Sequence, residues 1–185
     1  MIYSRLSYNT LNWQQPSGPI GKSRNRGVHE FDFGFGFEEW FRSNQFLLPD
    51  KGGVKHHYGY LEGIHKNYRA GDEQDALTLF TINCTTRQRF WVGEIKRWQA
   101  VDQAESLYIV NQNPQLINTM MNNVVATTNN LAIAVNKFNQ HVNNQNGFQL
   151  LNIKWKTMDF RFDINRPING NNPVYNFYRF WLHRR

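Results

Sequence analysis

Basic and aromatic side chains alternate in several short stretches of this chain, and together they are the residues best suited to chemistry on a polyanion. Between positions 87 and 98, arginines and lysines flank three aromatic rings. Guanidinium and ammonium groups bind phosphate, and aromatic rings stack on bases. The same mixture recurs over 55–60 and 154–156. This pattern predicts contact with a nucleic acid rather than a reaction centre.

The loop over residues 14–27 supplies a second set of basic side chains. It is rich in Gly, Pro and Ser and carries basic residues at alternate positions. Its Gly-Lys-Ser tripeptide is similar to the end of a phosphate loop, but Pro16 stands where that motif requires a glycine, which excludes a nucleotide-hydrolysing site. The predicted phosphate contacts are Lys22, Ser23, Arg24, Arg26, Lys55, Arg87, Arg89 and Arg97.

A pocket for an extruded base requires two or three rings and a polar group that reads the edge of the base. A single buried ring more often belongs to a core, which is the interpretation we favour for Phe90 along with Val92 and Ile95. The candidate stacking rings are Trp13, Trp40, Tyr58, Tyr60 and Trp91. The candidate edge reader is Asn83 or Asn67.

The sequence signals for a catalytic site are weaker than those for nucleic-acid binding. The histidines are scattered, and the adjacent His56 and His57 point to opposite faces of a strand, so local geometry does not give them one metal. Glu38 and Glu39 could act as paired acids, although the first turn of a helix also favours carboxylates. We therefore predict no enzyme, cofactor or metal, and a hydrolase that uses these two glutamates is the alternative.

Composition narrows the class of protein. Lys and Arg number 21 against 14 Asp and Glu, and the formal net charge of +7 favours a polyanionic partner. The length of 185 residues fits one domain over 1–185. The single cysteine, Cys84, excludes an internal disulfide framework. No apolar run resembles a signal peptide or a membrane span, so we expect a cytoplasmic protein with no membrane partner.

Periodicity predicts an α+β fold with about six strands and flanking helices. A short helix is expected over 37–43. The predicted strands cover 56–65, 77–83, 88–101, 148–156, 159–164 and 174–182. A helical insertion near 114–144 is expected from an apolar stripe at Ile117, Met121, Val124, Thr128, Leu131, Val135, Phe138 and Val142. This Asn-rich helix packs on the strands or, as an alternative, binds another protein.

Motifs between residues 11 and 102 resemble the EVE branch of the PUA superfamily. The turn Gly71-Asp72 precedes an apolar strand, and the next strand contains Val92-Gly93-Glu94-Ile95, close to the Val-Gly-x-x-x-Val strand of that family. The segment 13–40 resembles the amino-terminal part of modification-dependent restriction endonucleases. Those proteins have a histidine after their Gly-Phe-Gly motif, where this chain has Phe37.

The resemblance implies a small PUA/EVE-like β-barrel that binds double-stranded DNA and inspects a modified base, commonly methylated cytosine or adenine, in an aromatic pocket. In such restriction systems the nuclease or NTPase lies in another domain or subunit. We therefore expect a specificity module that is a fragment of a longer protein. An RNA-binding barrel of the same superfamily is the alternative.

Overall fold

The computed structural model describes residues 2–25, 29–64, 68–128, 130–133, 135–136, 149–163, 167–168 and 183–184. Within these ranges the chain forms two five-stranded sheets and several α-helices, which confirms the α+β class. Residues 131–133 and 135–136 are also helical. The end strands of neither sheet pair with one another within the same ranges, so the expected closed barrel is not confirmed.

The elements follow one another along the chain with short connections. The strands are β1 (Ile2–Leu6), β2 (Leu47–Pro49), β3 (Lys55–Gly59), β4 (Glu73–Gln74), β5 (Leu77–Ile82), β6 (Arg89–Ile95), β7 (Trp98–Ala100), β8 (Ile153–Trp155), β9 (Phe160–Phe162) and β10 (His183–Arg184). The helices are α1 (His29–Phe33), α2 (Gln103–Gln112) and α3 (Pro114–Thr128), and three 3-10 helices cover Phe37–Trp40, Asn44–Phe46 and Thr157–Asp159.

The first sheet has the order β10-β1-β5-β6-β9, and the second has the order β2-β3-β8-β7-β4. Strands β1 and β5 are parallel, and the other pairs of both sheets are antiparallel. Strands β5 and β6 form the hairpin that the sequence predicts, with Leu77 opposite Ile95. A bulge between Leu79 and Phe80 shifts the register within this hairpin.

The strand expected over 88–101 is two strands that belong to different sheets. Strand β6 ends at Ile95 in the first sheet, and β7 begins at Trp98 in the second. Between them the Lys96 N–H donates to the carbonyl oxygen of Asp159 at 2.8 Å. The prediction of one strand was wrong because a period-two alternation does not report which sheet a strand joins.

Gly93 marks a close approach of two backbones. A Cβ atom built on this residue would lie 2.3 Å from the carbonyl oxygen of Arg161 on β9. No side chain fits at that separation without a shift of β9. The glycine inside β6 therefore makes room for the neighbouring strand rather than for a flat ligand.

The main core lies between the two sheets. Leu79 and Val92 of the first sheet and Trp98 and Trp155 of the second are at most 2% exposed. The Trp155 ring also stacks on Phe41, with 4.4 Å between the ring centroids. Because one large ring buries as much apolar surface as several aliphatic side chains, this aromatic core compensates for the moderate hydrophobic content. The expected burial of Val92 and Ile95 is confirmed.

A second core connects the second sheet to the helices. Helix α2 begins after Asp102, whose carboxylate accepts a hydrogen bond from the Glu105 N–H at 2.7 Å and so caps the helix. Helix α3 begins at Pro114, a favoured residue for the first helical position. Its buried face consists of Leu116, Met120 and Val124.

The helical prediction needs two corrections. The predicted stripe contains Val124, but the buried neighbours are Leu116 and Met120, one position before the expected Ile117 and Met121, which are only partly buried. Helix α2 was not predicted. The positions from 137 of the expected insertion lie outside the described residues.

Three predicted strands are shorter in the structure. Strand β3 ends at Gly59 rather than near 65, because beyond this point the side chain of Asn152 takes the place of a neighbouring strand. Its Nδ2 donates to the Leu61 carbonyl oxygen at 2.7 Å, and its Oδ1 accepts from the Leu61 N–H at 2.8 Å. Strand β8 covers only Ile153–Trp155 of the predicted 148–156, and β9 covers only Phe160–Phe162 of the predicted 159–164. The strand expected over 174–182 lies outside the described residues.

Candidate functional site

Three of the predicted stacking rings are interior residues. Trp13 and Tyr58 have no exposed surface, and Trp40 is 2% exposed. The Trp13 indole N–H donates to the carbonyl oxygen of Ser7 at 3.0 Å, and that of Trp40 donates to the side-chain oxygen of Asn123 at 3.1 Å. Rings that are enclosed and hydrogen-bonded inside the protein have no face on which a base could stack. This placement corrects the expected aromatic pocket.

The other pocket candidates are half-buried and lie apart. Tyr60 packs against the helix-side core, and burial raises the pKa of its hydroxyl above the usual range, with Glu38 nearby adding to the rise. Trp91 packs on a different cluster with Tyr3 and Phe80. The structure does not bring these two rings together.

The predicted edge readers are not placed in a pocket either. The Asn83 side-chain oxygen accepts from the N–H groups of Thr85 and Thr86 and so orders the turn after β5. This is the usual role of asparagine in a turn. Asn67, the other candidate, lies outside the described residues.

Lys22 is the clearest correction among the predicted phosphate contacts. Its side chain has no exposed surface, and its Nζ lies 2.6 Å from Glu39 Oε1 and 3.0 Å from the carbonyl oxygen of Gly34. An ammonium group held in this way is not available to a phosphate. The next residue, Ser23, is partly exposed and accepts a hydrogen bond from the Asn25 N–H. Arg26 lies outside the described residues.

A first group of accessible cations surrounds the outer end of the β5–β6 hairpin. The Cys84 N–H donates to the carbonyl oxygen of Gly21 at 2.7 Å, which places the loop of Arg24 beside the turn after β5. Arg24 and Arg87 are exposed, and Arg89 is partly exposed. Arg87 has a φ of 60°, in the left-handed region, so the turn between β5 and β6 sets its backbone conformation.

A second group of charges lies on the second sheet, around a cavity of about 290 Å³. Strand register places Gln99 opposite both Glu73 and Lys154, so these three side chains share one face of the sheet. The cavity is also lined by the imidazole of His56 and by four charged residues from outside this row: Asp50, Arg97, Lys156 and Asp159. Arg97 is the one predicted phosphate contact in this wall.

A smaller cavity of about 190 Å³ adjoins the first. Asp50 and Lys154 line both cavities, and the smaller one is also lined by Lys51, Asp102 and Glu105. The two cavities together are called the charged groove below, and residues of the second sheet line both of them. Lys55 is exposed at the start of β3, near this groove but not among its lining residues.

Charged groups in the groove are oriented by short contacts. Glu105 Oε1 accepts from the Tyr58 hydroxyl at 2.8 Å and lies 2.7 Å from Lys154 Nζ. At the other end the Arg97 guanidinium lies 3.3 Å from Asp159 Oδ1. The Arg97 side chain is nevertheless 56% exposed, so it keeps surface for a ligand.

Asp50 lies where the two cavities meet. Its Oδ1 accepts from the N–H groups of Gly52 and Val54 at 2.8 and 3.0 Å, and its Oδ2 lies 3.5 Å from His56 Nδ1. The tight turn after β2 therefore holds this carboxylate in place. These contacts orient the Asp50 carboxylate in the wall of the groove.

The paired glutamates of the sequence analysis have different surroundings. Glu39 pairs with Lys22 and accepts hydrogen bonds from Asn9, Ser17 and Gly36. Burial raises the pKa of its carboxyl group, although Lys22, Gly36 and Ser17 oppose the rise. Among the described residues no cation pairs with the buried Glu38, and burial raises its pKa to about 8, with a further rise from Glu30.

Glycine is required beside Glu38. A Cβ at Gly36 would lie 2.2 Å from the Ser7 hydroxyl oxygen and 2.5 Å from Glu38 Oε2. The Ser7 hydroxyl and the Glu38 carboxyl group therefore both pack against this backbone. With Glu38 5% exposed and Glu39 fully buried, neither carboxyl group opens to a substrate in the way the hydrolase alternative needs.

Two further classes of site are absent from the part of the chain that the structure describes. No group of three or more His, Cys, Asp or Glu residues there is arranged to hold a metal ion. No helix there combines the length and the apolar character that a membrane crossing requires.

The groove residues were largely missed at the sequence level. Asp50, Glu105 and Asp159 are far apart in the chain, and no short motif connects them. The basic and aromatic run at 154–156 lines part of the larger cavity, and its predicted contact with a nucleic acid stays a prediction. The residues that face it could have been found only from the pairing of β7 with β8, which places Gln99 opposite Lys154.

Comparison of the chain with family models, with curated proteins and with solved structures gives no match in any of the three. The candidate site therefore follows from geometry and chemistry alone.

Proposed function

We propose that this protein is a nucleic-acid-binding module and that its ligand is double-stranded DNA with a modified base. The observation that carries the proposal is the charged groove, in which Arg97, Lys154 and Lys156 border a cavity of about 290 Å³. That volume approaches the lower limit for small-molecule sites and suits one extruded nucleotide. The net charge of +7 supports an anionic partner.

The base would bind in the charged groove and not among the aromatic residues that the sequence predicts. Trp13, Trp40 and Tyr58 are interior rings, whereas the groove offers carboxylate, amide and cationic side chains to a base and its phosphate. The hairpin group of Arg24, Arg87 and Arg89 would contact the backbone at another point. Cations that only contact phosphates position a duplex, and polar contacts to the base supply the specificity.

The modified base and the PUA/EVE-like relationship depend on the motif resemblance. The α+β fold is compatible with that relationship, and the barrel itself stays a prediction. Catalysis is not proposed for this chain: a nuclease or NTPase would belong to another domain or subunit of the same restriction system.

Fluorescence anisotropy with labelled duplexes tests the proposal. Duplexes of one sequence with cytosine, 5-methylcytosine, adenine or N6-methyladenine at one position are titrated at several salt concentrations. We expect affinity to fall steeply with salt, because several phosphates are neutralised. We also expect one modified duplex to bind more tightly than its unmodified counterpart. Equal affinity for all duplexes would refute recognition of the modification, and absence of salt-dependent binding would refute the nucleic-acid ligand.

Matched variants connect the binding to the groove. An Arg97→Gln and Lys156→Gln double variant removes two cations from the groove, and Arg69→Gln removes an exposed cation elsewhere. We expect the first to lose affinity and the second to bind nearly as the unaltered protein does. An RNA strand of the same sequence serves as competitor, and stronger competition by RNA would favour the alternative of an RNA-binding domain.

A further inference from the structure

Met158 is an exposed apolar side chain beside the charged groove. It is 81% exposed, the highest fraction among the large apolar residues of the described ranges. Lys156 and Asp159, on either side of it in the chain, line the larger cavity, so the connection between β8 and β9 that carries Met158 borders this cavity. A single exposed apolar residue is common on protein surfaces. The position of this one, at the edge of a candidate binding cavity, points to a contact with a ligand.

The backbone that carries Met158 is held by contacts with the neighbouring connection. Thr157–Asp159 form one turn of 3-10 helix. The Asp159 carbonyl oxygen accepts from the Lys96 N–H at 2.8 Å, and Asp159 Oδ1 accepts from the Arg97 guanidinium at 3.3 Å. The fold therefore presents Met158 from a fixed backbone, while its unbranched side chain can adapt to the surface that it meets.

Three cationic residues belong to the same two connections as Met158. Lys156 precedes the 3-10 helix, and Lys96 and Arg97 form the connection between β6 and β7; all three are exposed. Asp159 is the one carboxylate in these two connections, and it is 6% exposed and paired with Arg97. A duplex that lies on this surface would therefore meet cations for its phosphates next to an apolar side chain.

An apolar side chain in this setting suits a duplex whose base stack is opened. Proteins that unstack DNA insert Met, Leu, Ile, Phe or Pro between base pairs, and the contacts of the opened duplex offset the cost of unstacking. A base that is extruded into a pocket leaves a gap in the stack, with base faces on both sides of it. A methionine side chain in this gap would bury apolar surface that is otherwise in contact with water.

We propose that Met158 inserts into the base stack and fills the gap left by the nucleotide that enters the larger cavity. The proposal rests on the proposed function, because it requires a duplex with an extruded base. Met158 is then a positioning residue: it keeps the duplex open, while Lys96, Arg97 and Lys156 contact the phosphates beside the gap.

The fluorescence of 2-aminopurine tests the proposal. Stacking quenches this base analogue, which is placed next to a single 5-methylcytosine in one duplex and next to a single N6-methyladenine in another. We expect the fluorescence of the better-bound duplex to rise on binding, because the neighbouring base leaves the stack. Met158→Ala and Met158→Gln should abolish this rise and weaken binding about tenfold, since one large apolar side chain is no longer buried. Met158→Leu should retain both the rise and the affinity, because leucine is apolar and of similar size.

A single strand and a second exposed residue serve as controls. A single strand of the same sequence has no paired stack to keep open, so Met158→Ala should weaken its binding by about twofold or less. Leu131→Ala shortens a side chain of a residue that is 62% exposed and lines neither cavity, and it should leave both readouts unchanged. Because Met158 is exposed, its variants should keep the melting temperature of the unaltered protein.

The outcomes separate the insertion of Met158 from the function on which it rests. Three results would refute the insertion and leave the nucleic-acid ligand in place: salt-dependent binding without a rise in fluorescence, a rise that survives Met158→Ala, or an equal loss of affinity for duplex and single strand. Failure of every duplex to bind would refute the nucleic-acid function itself, and the insertion with it.

Discussion

Two Lys–Glu ion pairs with nearly equal N–O distances lie in opposite environments in this protein. Lys22 Nζ and Glu39 Oε1 are 2.6 Å apart with both side chains completely buried. Lys154 Nζ and Glu105 Oε1 are 2.7 Å apart with 11% and 20% of the side chains exposed. The first pair is enclosed between the loop 14–25 and the 3-10 helix Phe37–Trp40, whereas the second pair is open to a cavity.

The comparison teaches that distance does not distinguish a structural charge from a binding charge. Glu39 receives three further hydrogen bonds, so the interior pair uses its hydrogen-bonding capacity inside the protein. Glu105 has one oxygen engaged and keeps accessible surface. Burial removes water as a competing partner, so breaking the interior pair costs much free energy. The groove pair is partly exposed to water, so rearranging it costs little free energy.

The largest effect is expected from Lys22→Met, which leaves the Glu39 carboxylate buried without its cation. We expect a loss of about 3–5 kcal/mol in the free energy of unfolding, the usual cost of an uncompensated buried charge. Urea denaturation followed by circular dichroism measures it. Lys96→Met removes an exposed lysine and serves as the control. If the free energy of unfolding falls no more than in the control, the interior pair is not needed for stability.

The pH dependence of stability reports the burial of Glu38. Its raised pKa means that the folded state keeps this proton up to about pH 8, whereas the unfolded chain releases it above about 4.5. The free energy of unfolding should therefore fall between these pH values, by at most about 1.4 kcal/mol per pH unit. Glu38→Gln should remove this contribution, so its advantage over the unaltered protein grows with pH.

Denaturation at pH 5, 6.5 and 8 checks this prediction. Asp72→Asn neutralises an exposed carboxylate and is the matched control. Parallel stability profiles for Glu38→Gln and the unaltered protein would contradict the raised pKa.

A smaller effect is expected from Lys154→Met, the counterpart of Lys22→Met in the groove. Because Glu105 keeps its contact with Tyr58 and its access to water, we expect a loss of about 1 kcal/mol or less in stability. The same denaturation experiment gives the value. A loss equal to that of Lys22→Met would remove the distinction between the two pairs.

The smallest stability effect is expected from Arg97→Gln. Its pair with Asp159 is more than half exposed on the arginine side, so the free energy of unfolding should change by about 0.5 kcal/mol or less. In anisotropy titrations the same variant should lower the slope of log affinity against log salt by about one, as expected for one lost phosphate contact. A large loss of stability with an unchanged slope would make Arg97 a structural residue.

Several local features could be predicted from sequence because they depend on neighbouring residues. The hairpin of β5 and β6 follows from two apolar strands on either side of a polar turn. The helix that begins at Pro114 agrees with the start of the predicted insertion near 114–144. The α+β class followed from the sum of such signals.

The candidate site could not be predicted in the same way. A tryptophan in a basic stretch can face either a core or a ligand, and Trp13 and Trp40 proved to be core residues. Lys22 lies in a polar loop, yet Glu39 draws it into the interior. The burial of a side chain depends on what the rest of the chain packs against it, which a local pattern does not contain.

The sequence by itself determined the mixed class of the fold, the hairpin and the excess of basic charge, because propensity, periodicity and composition are properties of the chain. Only the tertiary structure decided which charges are enclosed and which are accessible. The passage from β6 to β7 between two sheets, and the meeting of Asp50, Glu105 and Lys154, bring distant residues together. Burial then sets the energy of each charge, and it separates the Lys22–Glu39 pair from the groove.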